Sequence, residues 1–294
     1  PEEGRALVHE HFSNGADQIK LFITGGVFDA EVEGEPGVLR MPLDIAQAVC
    51  DEAHKLGLRT SAHIESTEGV KVGLKAGVDT IEHGAPLTDE LLKLFKKNGL
   101  GNASSLTCTL SPALPFAVLS PEKTHSTHVQ KVNGRVVYEG VATATRQALA
   151  NGIPVGLGTD SACPFVTHYD MWREVVYFQR HTGVTPEFAL HTATLKNAQL
   201  LGVANETGSI ETGKSADFIV LDANPLDDLC ALRNVEQVYM AGKPVKYKAK
   251  HLPKIDAELD GIMDGLDNDP FVSEWNIAEE KKSLNPFAKR GTKE

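Results

Sequence analysis

The sequence predicts an α/β fold of the (β/α)8-barrel type, with about five βα units present and a small β appendage behind them. Three observations carry this. Short aliphatic strands alternate with amphipathic helices at the spacing of parallel βα units. Polar residues that can carry chemistry recur at the C-terminal ends of those strands, where such barrels keep their sites. After about residue 205 the composition shifts to turns and β-branched residues.

At 294 residues the chain is long enough to bury roughly three quarters of its unfolded surface. A net charge of −11 argues against a nucleic-acid or anionic-membrane partner, and no apolar run approaches a membrane span. Cys50, Cys108, Cys163 and Cys230 are far apart and lack metal-type pairing, which fits a reducing compartment. The opening Pro1-Glu2-Glu3-Gly4-Arg5 has neither the basic start nor the apolar core of a signal peptide, so a cytoplasmic location is expected.

In chain order, residues 5–13 suit a helix closed by Asn14-Gly15. His9 and His11 stand two apart on it and so face different ways, which disfavours a shared metal. The strand Gln18 to Thr24 alternates Ile19, Leu21 and Ile23 with Lys20, Phe22 and Thr24, so its aliphatic face packs under helices while Lys20 points the opposite way. In a closed barrel that direction is inward, where burial favours the neutral amine or a pairing with a carboxylate or metal-site ligand, unless the lysine snorkels from the strand end to solvent. A glycine-rich acidic loop and a helix from Met41 to Leu56 complete the first unit. Leu58 to Ala62 is a strand ending at His63, with Thr67 to Ala76 helical behind it. Val78 to Glu82 ends at His83-Gly84, with Pro86 to Lys97 helical. Leu100 to Leu110 and Ile153 to Gly158 are the next strands, the latter ending at Asp160, with a helix from Arg135 to Ala150 between them.

Residues 107–133 form a long connection without periodicity, of the kind that makes lids and binding loops. Its His125 and His128 suit a solvated pair better than one that supports a ligand from behind or faces substrate. An amphipathic helix runs to His181, and Thr185-Pro186 starts another that reaches Leu201-Gly202. Gly208 to Asp222 is a turn and strand, and Val235 to Tyr247 a hairpin. Ile255, Leu259, Ile262 and Leu266 form a stripe that predicts a surface helix before a loose basic tail. The expected domains are therefore 1–205, 206–250 and 251–294.

Lys20, His63, His83 and Asp160 all lie on strands or at their C-terminal ends, which a barrel gathers on one face. Imidazoles and a carboxylate suit zinc or a similar divalent ion, which brings the pKa of its bound water towards neutrality. Singly, each residue reads as well as a strand-end histidine or a helix cap.

The chain resembles the metal-dependent amidohydrolase superfamily, in particular its imidazolonepropionase-like and Xaa-Pro dipeptidase (prolidase-like) branch, over about residues 14–247. The resemblance rests on Gly15-Ala16-Asp17 to Lys20 with Thr24-Gly25-Gly26, Ala62-His63, Thr80-Ile81-Glu82-His83-Gly84, Gly158-Thr159-Asp160 and Gly213-Lys214-Ser215-Ala216-Asp217. It implies a TIM-barrel hydrolase with one or two divalent metals, Zn2+ foremost, and a carbamate on Lys20 bridging them. His63 and His83 would hold one metal, and Asp160 would ligate the other and act as general base and acid towards metal-activated hydroxide. The implied substrate is the amide bond of a dipeptide or N-acyl amino acid, with residues 107–133 and His168 lining the pocket, although His168 suits a helix cap equally. The segment after 208 would be part of a β-sandwich domain. A single-metal deaminase or cyclic amidohydrolase, and a non-catalytic metal-binding fragment, are the alternatives.

The family's first-strand His-x-His has no counterpart at the expected distance before Lys20, and the first three barrel strands are not found. Five strands cannot close a barrel. The expectation is a C-terminal part that works with an N-terminal barrel segment, in the same chain or a separate one. Alone it would keep at most the metal of His63 and His83. Homo-oligomerisation and a small-molecule substrate complete the expected partners.

Overall fold

A computed structural model describes residues 1–95, 103–246 and 249–277. The chain divides into two compact units, Pro1–Thr109 with Phe116–Val155, and Leu110–Pro115 with Gly156–Glu294. The first contains the βα array. Helix α1 (Glu2–Ser13) starts three residues earlier than residue composition suggests, with Glu2 and Glu3 in its first turn, where negative charge favours the helix dipole. Strand β1 (Gln18–Phe22) alternates as expected, Ile19 and Leu21 buried and Lys20 and Phe22 exposed.

Helix α2 (Leu43–Lys55) leads to β2 (Arg59–Ile64), and α3 (Thr67–Ala76) leads to β3 (Thr80–His83). The two helix ends of α3 are written in the sequence: Ser66 Oγ accepts the Gly69 N–H, and Gly77 takes the left-handed φ of 88° that closes the helix. Helix α4 (Asp89–Leu94), capped by Thr88, precedes β4 (Ser105–Cys108). The beginning of the expected strand at Leu100, and Lys96 and Lys97 of the expected helix, lie outside the described residues.

The stretch expected to be an aperiodic connection is largely helical. It forms α5 (Leu114–Val118), α6 (Pro121–Thr124) and the first turns of α7 (His128–Ala150). The signal was local: Thr127 and Gln130 form a reciprocal capping box, which starts α7 seven residues before Arg135.

The sheet order is β1-β2-β3-β4-β5, with β5 at Val155–Leu157. Parallel pairing sets Leu21, Ala62, Ile81 and Leu106 in one row across four strands, all buried. The next row, Phe22, His63, Glu82 and Thr107, must then face the other way, as must Lys20, Ser61, Thr80 and Ser105. One face of the sheet is aliphatic and lies under helices. The other is polar.

In the second unit, α8 (Met171–Thr182) and α9 (Pro186–His191) are followed by a wide π-turn (Thr192–Lys196) that runs into α10 (Asn197–Leu201). Asn197 clamps the end of β5: its Oδ1 accepts the Leu157 N–H at 2.9 Å and its Nδ2 donates to the Leu157 carbonyl at 2.9 Å. Glu174, fully buried on α8, accepts the backbone N–H groups of Leu110 and Ser111, each at 2.8 Å.

A small antiparallel sheet holds β6 (Phe218–Leu221), β7 (Val235–Met240) and β8 (Lys243–Pro244) in that order. Its hairpin turns through Ala241 and Gly242, both at positive φ, as a two-residue turn requires. Helices α11 (Pro253–Gly265) and α12 (Pro270–Ile277) follow. The expected surface stripe is a packing face, since Leu259, Ile262, Met263 and Leu266 are buried. Tyr247 and the basic run 289–293 lie outside the described residues. Among those described, no helix is long and apolar enough to cross a membrane.

At the N-terminal end of β3, buried Asp79 accepts from the Thr60 N–H at 2.7 Å, the Thr60 hydroxyl at 3.0 Å and His54 Nε2 at 2.9 Å. Burial alone would raise its pKa, but the His54 and Thr60 hydrogen bonds outweigh that and hold it below the ordinary 3.8. The folded carboxyl is therefore the stronger acid, and its contribution is present above the unfolded pKa and lost as pH falls through the folded one. Asp79→Ala, which strips three donors of their acceptor, is expected to cost about 3 kcal/mol in urea unfolding at pH 7. The difference from wild type should shrink as pH is lowered below about 4.

Candidate functional site

The site forms where β2 and β3 end. His63 follows the polar face of β2, in register with Phe22 on one side and Glu82 on the other. The Phe22 ring stacks on its imidazole with centroids 4.2 Å apart, fixing one side of the ring. His83 pairs with Ile64, so regular alternation would turn it towards the aliphatic side. It escapes by adopting a left-handed φ of 68°, and Gly84 follows at 85°. Such backbone costs a non-glycine residue of order 1–3 kcal/mol and is retained where the surroundings demand it. The outcome is that the His63 and His83 rings meet edge to face, 4.7 Å between centroids.

A third donor was not anticipated. Glu65 stands two residues beyond His63, and one donor atom from each of His63, Glu65 and His83 lies within 4.8 Å of the others. Glu65 is held by the segment that follows β1: its N–H donates to Thr24 Oγ1 at 2.9 Å, and its Oε2 accepts the Val27 N–H at 3.1 Å. The spacing His63-x-Glu65 is the sequence signal, because residues i and i+2 of an extended segment share a face.

His83 Nδ1 lies 2.6 Å from the Thr109 hydroxyl, which engages one ring nitrogen and leaves Nε2 as the other. Burial, and then the positive charges of His63 and Lys20, push the His83 pKa well below the ordinary 6.5. The imidazole is therefore neutral at pH 7, the form that ligates metal. Lys20 is exposed, on the same sheet face as His63 and within electrostatic reach of His83.

The donor set fits a divalent cation. Two imidazoles and a carboxylate are of the right chemistry for zinc or a similar ion. The backbone closes on them as well: a Cβ on Gly26 would lie 2.8 Å from Glu65 Oε2 and 3.1 Å from His63 Nε2. Beside the group opens a cavity of about 490 Å³, bounded by Pro36, Val38, Glu65, Gly84, Pro86 and Val137 among others.

Asp160 belongs to the second unit, three residues beyond β5. It is exposed, has a φ of 54°, and its Oδ2 accepts from the Cys163 thiol at 3.3 Å. Ala162 and Phe165 are also left-handed, at 86° and 65°. Three non-glycine residues of this kind in six positions mark a loop held in an imposed shape. His168 is exposed on the same loop and lines a second cavity; the N-cap of α8 is Asp170, so His168 is not the cap. His9 is engaged with Glu52 at 2.9 Å, and His128 opens α7 with Glu33 3.3 Å away. Neither joins the donor group.

These features place the chain among proteins that build a polar site on the C-terminal ends of parallel strands. The amidohydrolase family profile matches residues 1–245, and the chain belongs to that family, whose fold is of the TIM-barrel type. It is similar to a provisionally assigned prolidase from Bifidobacterium longum, at 44% identity and a TM-score of 0.84 over 90% of this chain and 64% of that one. A solved Xaa-Pro dipeptidase with methionine bound in its active site is 30% identical, with a TM-score of 0.73 over 84% of this chain and 59% of that one. The ochratoxinase of Aspergillus niger is 26% identical over 249 residues, which is 83% of this chain and 49% of the relative. The imidazolonepropionase of Streptococcus sanguinis is 27% identical over 242 residues, 79% and 48% respectively. The chain thus spans about half the length of the curated relatives it matches.

Titration with Co2+, followed by its visible absorption, checks the donor set. His63→Asn and His83→Asn are each expected to weaken binding more than tenfold. Thr109→Val, which removes the partner of His83 Nδ1, should weaken it about tenfold, the usual effect of losing a hydrogen bond behind a ligand.

Proposed function

We propose that this chain supplies the metal-holding C-terminal part of an amide-bond hydrolase, and that the substrate is a dipeptide or N-acyl amino acid of the kind an Xaa-Pro dipeptidase takes. The observation that carries the reading is the convergence of His63, Glu65 and His83 at the strand ends of a chain that belongs to the amidohydrolase family. The likeness to a Xaa-Pro dipeptidase at 30% identity supports the substrate class.

In this reading His63 and His83 hold a divalent metal, zinc foremost, with Glu65 beside them. A metal bound there would polarise the amide carbonyl and acidify water. Asp160 takes the proton of the attacking water on its carboxylate and hands it to the leaving nitrogen. Lys20, if carboxylated to a carbamate, would supply a ligand for a second metal, and its place on the face of His63 supports that role. His168 contacts substrate. The remaining strands and a His-x-His come from an N-terminal barrel segment of the same or another chain, and the working enzyme is a cytoplasmic homo-oligomer. The likeness to imidazolonepropionase favours one other reading, a cyclic amidohydrolase or deaminase acting with a single metal and an unmodified Lys20.

The test is turnover by the chain joined to its N-terminal barrel segment, with added Zn2+, on dipeptides, N-acyl amino acids, cyclic amides and deaminase substrates. Turnover of the first two classes, falling about a thousandfold or more in Asp160→Asn with substrate KM little changed, is the expected result. Turnover of a cyclic amide or deaminase substrate alone would overturn the proposal in favour of the second reading.

A further inference from the structure

The family match ends at residue 245, yet the segment that follows is built into the second unit. It is fixed from three directions. Tyr169, on the loop after Asp160, accepts the Leu252 N–H at 2.8 Å and donates its hydroxyl to Asp256 at 2.9 Å, while its ring lies 4.3 Å from that of His251. Arg173 of α8, buried against the Trp172 ring, reaches Asp260 at 2.7 Å, and Arg233 holds the other oxygen of that carboxylate at 3.0 Å. Arg180 donates to the Met263 carbonyl at 2.8 Å. Below these contacts the apolar stripe of α11 is buried.

Between this segment and the loop after Asp160 lies a cavity of about 350 Å³. Small-molecule sites begin at about that size. Its walls are of two kinds. Phe165, Val166, Leu252 and Ile255 supply apolar lining, and the nitrogen-bearing Lys250 and His168 line it as well. Among the described residues that line it there is no carboxylate. The nearby Asp256 is engaged, by the Tyr169 hydroxyl and by His251 at 3.4 Å. Cys163 joins the cavity to the candidate catalytic carboxylate, since its thiol donates to Asp160. An apolar hollow with a cation at its edge suits a small carboxylate carrying an apolar side chain.

We propose that this cavity is a carboxylate subsite, in which Lys250 takes the carboxylate of an amino acid or N-acyl amino acid whose side chain lies on Phe165, Val166 and Leu252. As a substrate subsite it rests on the amide-hydrolase reading, whereas its binding chemistry does not. The segment beyond the family match is then part of the recognition surface, and Lys250 is a specificity-determining residue that sequence comparison confined to residues 1–245 would miss.

Binding of N-acetyl-L-leucine and of N-acetyl-L-leucinamide to the full chain, by calorimetry and by amide chemical-shift mapping, tests this without any turnover. The acid should bind more tightly than the amide, with shifts confined to 162–169 and 250–255. Lys250→Ala should weaken the acid about fivefold and leave the amide unchanged, and Lys250→Arg should restore most of the loss. Lys250 is exposed, so an unchanged melting temperature is expected in both variants. An acid-to-amide preference that survives Lys250→Ala, shifts that map elsewhere, or no binding of either ligand would each overturn the proposal. Because no metal or hydrolysis enters the measurement, these outcomes stand apart from those of the turnover assay.

Discussion

The pairing of β2 with β3 is the constraint on which the site depends. Once Ala62 lies opposite Ile81, the buried row from Leu21 to Leu106 is set, and His63 is committed to the polar face. A slip of one residue would exchange the two faces and bury the histidine among aliphatic side chains. The register is expensive to change because the aliphatic row is fully covered. His83 then departs from the pleat in its backbone, and that departure brings its ring to His63. The strain is local and the surrounding pairing holds it, as in Gly84 N–H donating to the Ile64 carbonyl at 2.9 Å.

Much of this was legible in residue order. Alternation alone separated Lys20 from Ile19 and Leu21, because a two-residue period marks a strand with two unlike faces, and the strand ends picked out His63 and His83. Glu65 escaped because it lies just past the end of β2, where pleat arguments stop, and because its place is set by Thr24 and Val27 from the segment after β1. The helical character of residues 114–133 was hidden for another reason. The helices α5 and α6 span five and four residues, too short to show a period, and only the capping box at Thr127 announces α7. The stripe on α11 was seen, but its burial depends on Arg173, Arg180 and Tyr169 from distant parts of the chain.

The second unit shows how charge is used as mortar between chain segments. Arg173 and Glu174 are neighbours on α8, both buried, yet they serve different partners: Glu174 receives the backbone of Leu110 and Ser111, and Arg173 reaches α11. Buried charges of this sort contribute little net stability over an apolar replacement, but losing one member leaves the other stranded. Their value lies in specificity of arrangement, since each fixes the chain segment that it meets.

The π-turn at Thr192–Lys196 is, in effect, one extra residue accommodated within a helix. A helix advances about 100° per residue, so removing any single residue from that stretch would let regular pitch resume and swing Asn197 a quarter-turn or more away from Leu157. The side chains of the turn can vary, provided that their number does not. The end of β5, and with it the approach to Asp160, is thus sensitive to the length of a segment rather than to its composition, and within this stretch a one-residue deletion would be more damaging than most substitutions.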